Sequence, residues 1–182
     1  MFDIRAIQEQ VLYESVRAAS NEQTASEVVY GAPTDAAVSD AEWVASSMQK
    51  LEHAFDKPAV EQIRMRCQCG YGMEERLTLI KELIAASSSL EEFAGHEKAR
   101  AAGMFYRDGA LYLQFFFCPC PMLATVDRLE SDTWCQCTRG YTKVLFERAF
   151  CCEVEVELLK SIKTGGDVCL QRITPKGAVW RG

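Results

Sequence analysis

The strongest constraint on the fold is a change of hydrophobic period near Met104. Upstream, apolar residues recur every three or four positions: Ile4, Ile7, Val11 and Leu12 make one helical face, and Trp43, Met48, Leu51 and Phe55 make another. Downstream the period drops to two. Glu153-Val154-Glu155-Val156-Glu157-Leu158 alternates as a half-buried strand does. The aromatic-rich runs 104–106 and 111–117 flank Asp108-Gly109, a two-residue hairpin turn. Helices first and strands afterwards predict an α+β fold: a helical N-terminal half, then an antiparallel sheet with helices packed on one side.

Local punctuation refines this outline. Gly31-Ala32-Pro33 breaks the first helical stretch, and Ser39-Asp40-Ala41-Glu42 is a capping box that opens the next. Asp56-Lys57-Pro58 starts a helix expected to run into Cys67-Gln68-Cys69 and stop at Gly70. Helical patterns follow over 73–86 and 90–101, the second opened by Ser89 with Glu92. Cys118-Pro119-Cys120-Pro121 ends the aromatic strand, because two prolines remove ladder donors. A helix over 139–150 turns Val144, Leu145 and Ala149 or Phe150 inward, and Thr164-Gly165-Gly166-Asp167 reverses the chain before a return strand over 168–174. At 182 residues this reads as one domain, mainly helical over 1–103 and α+β over 104–182.

Charge and composition exclude several functions. A net charge of −6 with no basic stripe argues against a nucleic-acid partner. No run of about 18 apolar residues is present to span a membrane. The opening MFDIRAIQEQ lacks the basic segment and apolar run of a secretory signal, so a cytoplasmic location is expected. In that reducing setting cysteines stay thiols, and clustered thiols serve metals or catalysis more often than disulfides. There is no phosphate-binding or dinucleotide-binding glycine loop, and His53 and His96 stand outside any ligand spacing.

The nine cysteines therefore carry the chemistry. Cys67-Gln68-Cys69, Cys118-Pro119-Cys120 and Cys135-Gln136-Cys137 repeat one spacing three times, where chance at this usage gives roughly half of one such pair. In an extended or knuckle-like segment residues i and i+2 point the same way, so both thiolates reach one ion. Zinc takes four such ligands, and Cu(I) and iron–sulfur clusters are the other soft acceptors. Cys118/Cys120 and Cys135/Cys137, both at loop junctions, are expected to form the core of a metal site. Cys67/Cys69 is the secondary pair, because a helix C-terminus disfavours thiolates. Arg64, Arg66 and Arg139 stand close enough in sequence to offset thiolate charge. Cys151-Cys152, side by side at a helix-to-strand junction, is expected to be packing. Reversible dithiol oxidation is the competing use of closely spaced thiols. Tyr112, Phe116 and Tyr141 are candidates to line an apolar pocket.

Gly140-Tyr141, Leu145-Phe146-Glu147 and the stretch EVEVELLKSIKTGGDVCLQRI at 153–173 resemble the closing helix and hairpin of 4-vinyl-reductase-like small-molecule-binding domains. Gly166-Asp167, Cys169 and Ile173 stand where that family has its turn, cysteine and isoleucine, and Gln171 stands where it has an aromatic residue. The same region is similar to the L-2-amino-thiazoline-4-carboxylic acid hydrolase-like proteins. CPC followed by WCQCTRGYTKVLFERAF resembles an uncharacterised cysteine-rich branch of the group. The resemblance implies a sensor-like, ligand-binding fold with a small molecule as partner and a homodimer as an allowed assembly. It also implies Cys169 as a further zinc ligand beside Cys135 and Cys137. The resemblance hands over no activity; the runner-up reading is a hydrolase of a small cyclic thio-amino acid, using a cysteine nucleophile or a metal-bound water.

Overall fold

The computed structural model describes residues 3–31 and 38–180, so Ala32 and Pro33 of the first expected break lie outside the described residues. Helices α1 (Ile4–Ala19), α2 (Glu22–Val29), α3 (Asp40–Ala54), α4 (Lys57–Met65), α5 (Met73–Ala85), α6 (Leu90–Gly95) and α7 (Glu97–Ala101) precede strands β1 (Met104–Arg107) and β2 (Ala110–Phe115). Helix α8 (Gln136–Phe150) and strands β3 (Val154–Lys160) and β4 (Cys169–Pro175) follow. The fold is α+β, with helices throughout the N-terminal half. No helix among the described residues is long and apolar enough to cross a membrane.

The chain divides into two compact units. The first comprises residues up to Cys69, Cys118–Gly140 and Lys163–Gly165. Its core gathers Leu12 and Val16 of α1, Val28 and Val29 of α2, Val44 and Leu51 of α3, and Val60 and Ile63 of α4 around Trp134. The caps explain where these helices begin. Asp3, Asn21, Ser39 and Asp56 each accept a backbone N–H of the first turn, and Ser39 with Glu42 forms the full capping box. The buried stripe of α1 is Gln8, Leu12, Ser15 and Val16, shifted from the apolar stripe so that it includes two polar residues.

The second unit comprises Gly70–Phe117, Tyr141–Ile162 and the chain from Gly166 onward. Its antiparallel sheet has the order β1-β2-β4-β3. Asp108 and Gly109 both take positive φ, 51° and 80°, which is the turn whose twist matches two adjacent strands. Met104, Leu111, Leu113, Val154, Val156 and Ile173 face a core completed by Leu77 and Leu83 of α5, Phe93 of α6, and Leu145 and Phe146 of α8. Phe105 and Tyr112, one residue out of step, lie on the other face and stack at 5.0 Å. The helical pattern over 90–101 is broken at His96, whose extended backbone (ψ 142°) separates α6 from α7.

Candidate functional site

All three Cys-X-Cys pairs belong to the first unit. The segment after α4 supplies the first. The helix ends at Met65, two residues short of Cys67, so Cys67-Gln68-Cys69 lies in irregular chain rather than in the last helical turn. Here the sequence expectation is corrected: Gly70 has φ 70° but does not close α4. Cys118-Pro119-Cys120 is likewise irregular and leads into a short 3-10 turn, Pro121–Leu123, with Pro121 at its first position. In that turn the Leu123 N–H donates to the Cys120 carbonyl at 3.1 Å.

The third pair differs. Cys135 directly precedes α8 and Cys137 is its second residue, so the pair straddles a helix start instead of lying in extended chain. Cys137 turns into the cluster, where its thiol donates to the Cys67 carbonyl at 2.8 Å. Its electrostatic neighbours are Arg64, Cys67, Cys120 and Cys69. Cys135 is buried, and its carbonyl accepts the N–H groups of Thr138 and Arg139 as α8 begins. The expectation that Cys135 and Cys137 point together assumed extended chain at this pair, and the helix removes that assumption.

Cys67 and Cys137 are buried, Cys69, Cys118 and Cys120 are half-buried, and a buried cation stands beside them. Burial pushes the Cys137 thiol up to about 12, with Arg64 pulling the other way. Burial also pushes Cys120 up, opposed by the Trp134 indole N–H, by the two backbone N–H groups of the 3-10 turn, and not by its neighbour Cys118, which adds to the rise. The Trp134 N–H forms no full hydrogen bond. Arg64 is 0% exposed. Its Nη2 donates to the Trp134 carbonyl at 3.1 Å and its guanidinium lies 4.2 Å from the centroid of the Trp134 ring. Its Nε and Nη1 have no acceptor. Gln8 reaches in from α1, donating to the Cys67 carbonyl at 3.4 Å while its own side-chain oxygen is buried and unmatched.

The remaining sequence candidates fall elsewhere. Cys169 belongs to the second unit, where its sulfur accepts the Ile162 N–H at 3.5 Å. Cys151 is not a packing residue: it is exposed and sits at the end of α8 with φ 53°, while Cys152 is half-buried. Tyr141 is in the core of the second unit, its hydroxyl donating to the Tyr71 carbonyl, whereas Tyr112 lies on the opposite face of the sheet and Phe116 is 79% exposed beyond the end of β2. These three aromatics do not line one pocket. Of the arginines, Arg66 is exposed and Arg139 pairs with Glu61 at 3.4 Å.

No disulfide links the nine cysteines, all of which lie among the described residues. Among the described residues no group of three or more His, Cys, Asp or Glu side chains stands in a metal-holding arrangement. Sequence reasoning missed Gln8 and Trp134, since neither residue type stands in a ligand spacing. Only the position of Trp134 next to Cys135 hinted otherwise. No curated protein and no solved structure matches the chain. Residues 1–180 match the family model described as a family of unknown function, DUF6144, and the chain belongs to that family.

Proposed function

We propose that the thiol cluster of the first unit is a thiolate metal centre, with zinc as the ion that best suits it. Cys120 and Cys137 are the central ligands, and two of Cys67, Cys69 and Cys118 complete the four. The observation that carries this reading is the gathering of Cys67, Cys118, Cys120 and Cys137 in one core beside Arg64 and Trp134, whose buried N–H groups at Nε and Nη1 and at the indole have no acceptor. A neutral thiol accepts hydrogen bonds weakly, whereas a metal-bound thiolate keeps lone pairs that accept them well.

Loading must displace protons. A thiol buried as Cys137 is does not ionise alone at neutral pH, and its hydrogen bond to the Cys67 carbonyl belongs to the protonated form. A bound metal would supply the charge compensation that the buried thiolates lack. The same burial argues against a dithiol redox role, because the thiolate is the reactive species in exchange. Four ligands would make a closed structural site that ties the chain after α4, the loop after β2 and the start of α8 together.

Elemental analysis of protein purified without chelators tests this. Stoichiometric zinc is expected in the parent protein and in Cys151→Ser, and its loss in Cys120→Ser and in Cys137→Ser. Protein that is folded, free of metal and unable to take up added zinc would show the reading to be wrong.

A further inference from the structure

The buried cation beside the thiols has no role in packing that an apolar residue would not fill better. Arginine keeps its charge in proteins, and a charge withdrawn from water is tolerated when an opposite charge or a full set of hydrogen bonds meets it. Arg64 has neither: no ion pair to it is found among the described residues, and two of its nitrogens are unmatched. The one group it engages fully is Trp134, through the carbonyl and the ring face. Trp134 packs in the same core as Cys67, Cys118, Cys120 and Cys137, and its own N–H is buried without an acceptor. A cation over the face of an indole draws electron density from the ring and makes its N–H a stronger donor.

We propose that Arg64 is the counter-charge of the thiolate centre and acts on it through Trp134, so that the site favours an anionic set of metal-bound thiolates. Arg64 is thus a positioning residue, and this inference rests on the metal-centre reading above. Four thiolates around a divalent ion carry two net negative charges, and Arg64 removes one of them without occupying a coordination position. Two opposite consequences follow from the same charge. In metal-free protein Arg64 is an uncompensated buried cation and weakens the unit. In loaded protein it stabilises the centre.

The experiment compares the parent protein with Arg64→Met, Arg64→Lys and Trp134→Phe, reading zinc affinity by competition with a chromophoric chelator and thermal midpoints of the metal-free forms. Arg64→Met keeps length and apolar contact while removing the charge. Its zinc affinity is expected to fall by about tenfold or more, the usual effect of losing a group that orients ligands, while its metal-free midpoint stays level or rises. Arg64→Lys is expected to retain most of the affinity, and Trp134→Phe to lose part of it. A purely structural role would lower both readouts together in Arg64→Met. If the parent binds zinc and Arg64→Met binds it equally well, the counter-charge role is wrong and the metal centre stands. If the parent takes up no zinc, the metal-centre reading itself fails. Should Arg64→Met not fold, the other two variants decide: affinity kept in Arg64→Lys and reduced in Trp134→Phe supports the proposal, and affinity lost in Arg64→Lys but unchanged in Trp134→Phe overturns it.

Discussion

Gly140 shows how closely single positions are held in the first unit. A Cβ placed on it would overlap the carbonyl oxygen, carbonyl carbon and Cα of Met65, all backbone atoms that cannot swing aside. The helix start carrying Cys137 and the helix end preceding Cys67 therefore meet at a glycine because no other side chain fits. Gly140→Ala is expected to destabilise the protein by about 2–3 kcal/mol, the range of overpacking in a close-fitting interior. Chemical denaturation with tryptophan fluorescence checks this, and a loss under about 0.5 kcal/mol, the scale of a surface change, would contradict it. Thiol reactivity separates the cysteines in the same way. Cys151 is exposed, whereas Cys67, Cys135 and Cys137 are buried, so brief alkylation of native protein is expected to label Cys151 first and to spare those three. Peptide mass mapping reads the order directly. The Cys-X-Cys repetition was legible because spacing is a sequence property. Arg64 stood out with Arg66 and Arg139 by its place beside the thiols, but which of the three is buried, and that Gln8 joins it, was not legible, because both residue types are mostly exposed and only tertiary packing turns these two inward.

Helix ends were partly legible, and the caps explain which. At Ser39 the sequence marks its own boundary: the hydroxyl accepts the Glu42 N–H at 3.3 Å and the Glu42 carboxylate accepts the Ser39 N–H at 2.9 Å. Ser39→Ala is expected to cost about 1 kcal/mol of stability. The hydrogen bonds from Ser39 hold the Glu42 carboxyl below its ordinary range, and those from Ser88 do the same for Glu92 before α6. Both folded-state values are depressed, so their contribution is fully present above the unfolded value near 4.5 and is lost as pH falls through the folded values. Stability of the parent is therefore expected to drop on acidification through that window more steeply than stability of a Ser39→Ala, Ser88→Ala double variant. Equal slopes in urea titrations at pH 3 to 6 would refute the assignment. Ends without caps were misplaced instead. Gly70 carried a stop signal, yet α4 stopped earlier at Met65, and the helical period over 90–101 runs through His96 although the backbone does not. Periodicity reports which face is buried and is silent about a single extended residue inside the run.

For the whole molecule, the change of period at Met104 marks where element type changes, while the cores are divided elsewhere. The chain leaves the first unit after Cys69, returns at Cys118, and crosses within α8, which gives residues 136–140 to the first unit and 141–150 to the second. Sequence order could reveal the strands and the turn at Asp108-Gly109, since both rest on local pattern. It could not reveal that six cysteines from three separated segments share one unit, because that depends on pairing distant stretches of chain. Each unit has its own apolar core, centred on Trp134 in the first and on the sheet, Phe93 and Phe146 in the second. A metal that ties together only segments of the first unit should then stabilise the two unequally. Hydrogen exchange on zinc-loaded and chelator-treated protein is expected to show faster exchange after chelation around residues 67–69, 118–123 and 134–140. The β2–β4 ladder, from Leu111 opposite Ile173 to Phe115 opposite Cys169, is expected to keep its protection. Equal loss across both regions would mean that the ion supports the molecule as a whole rather than the unit that supplies its ligands.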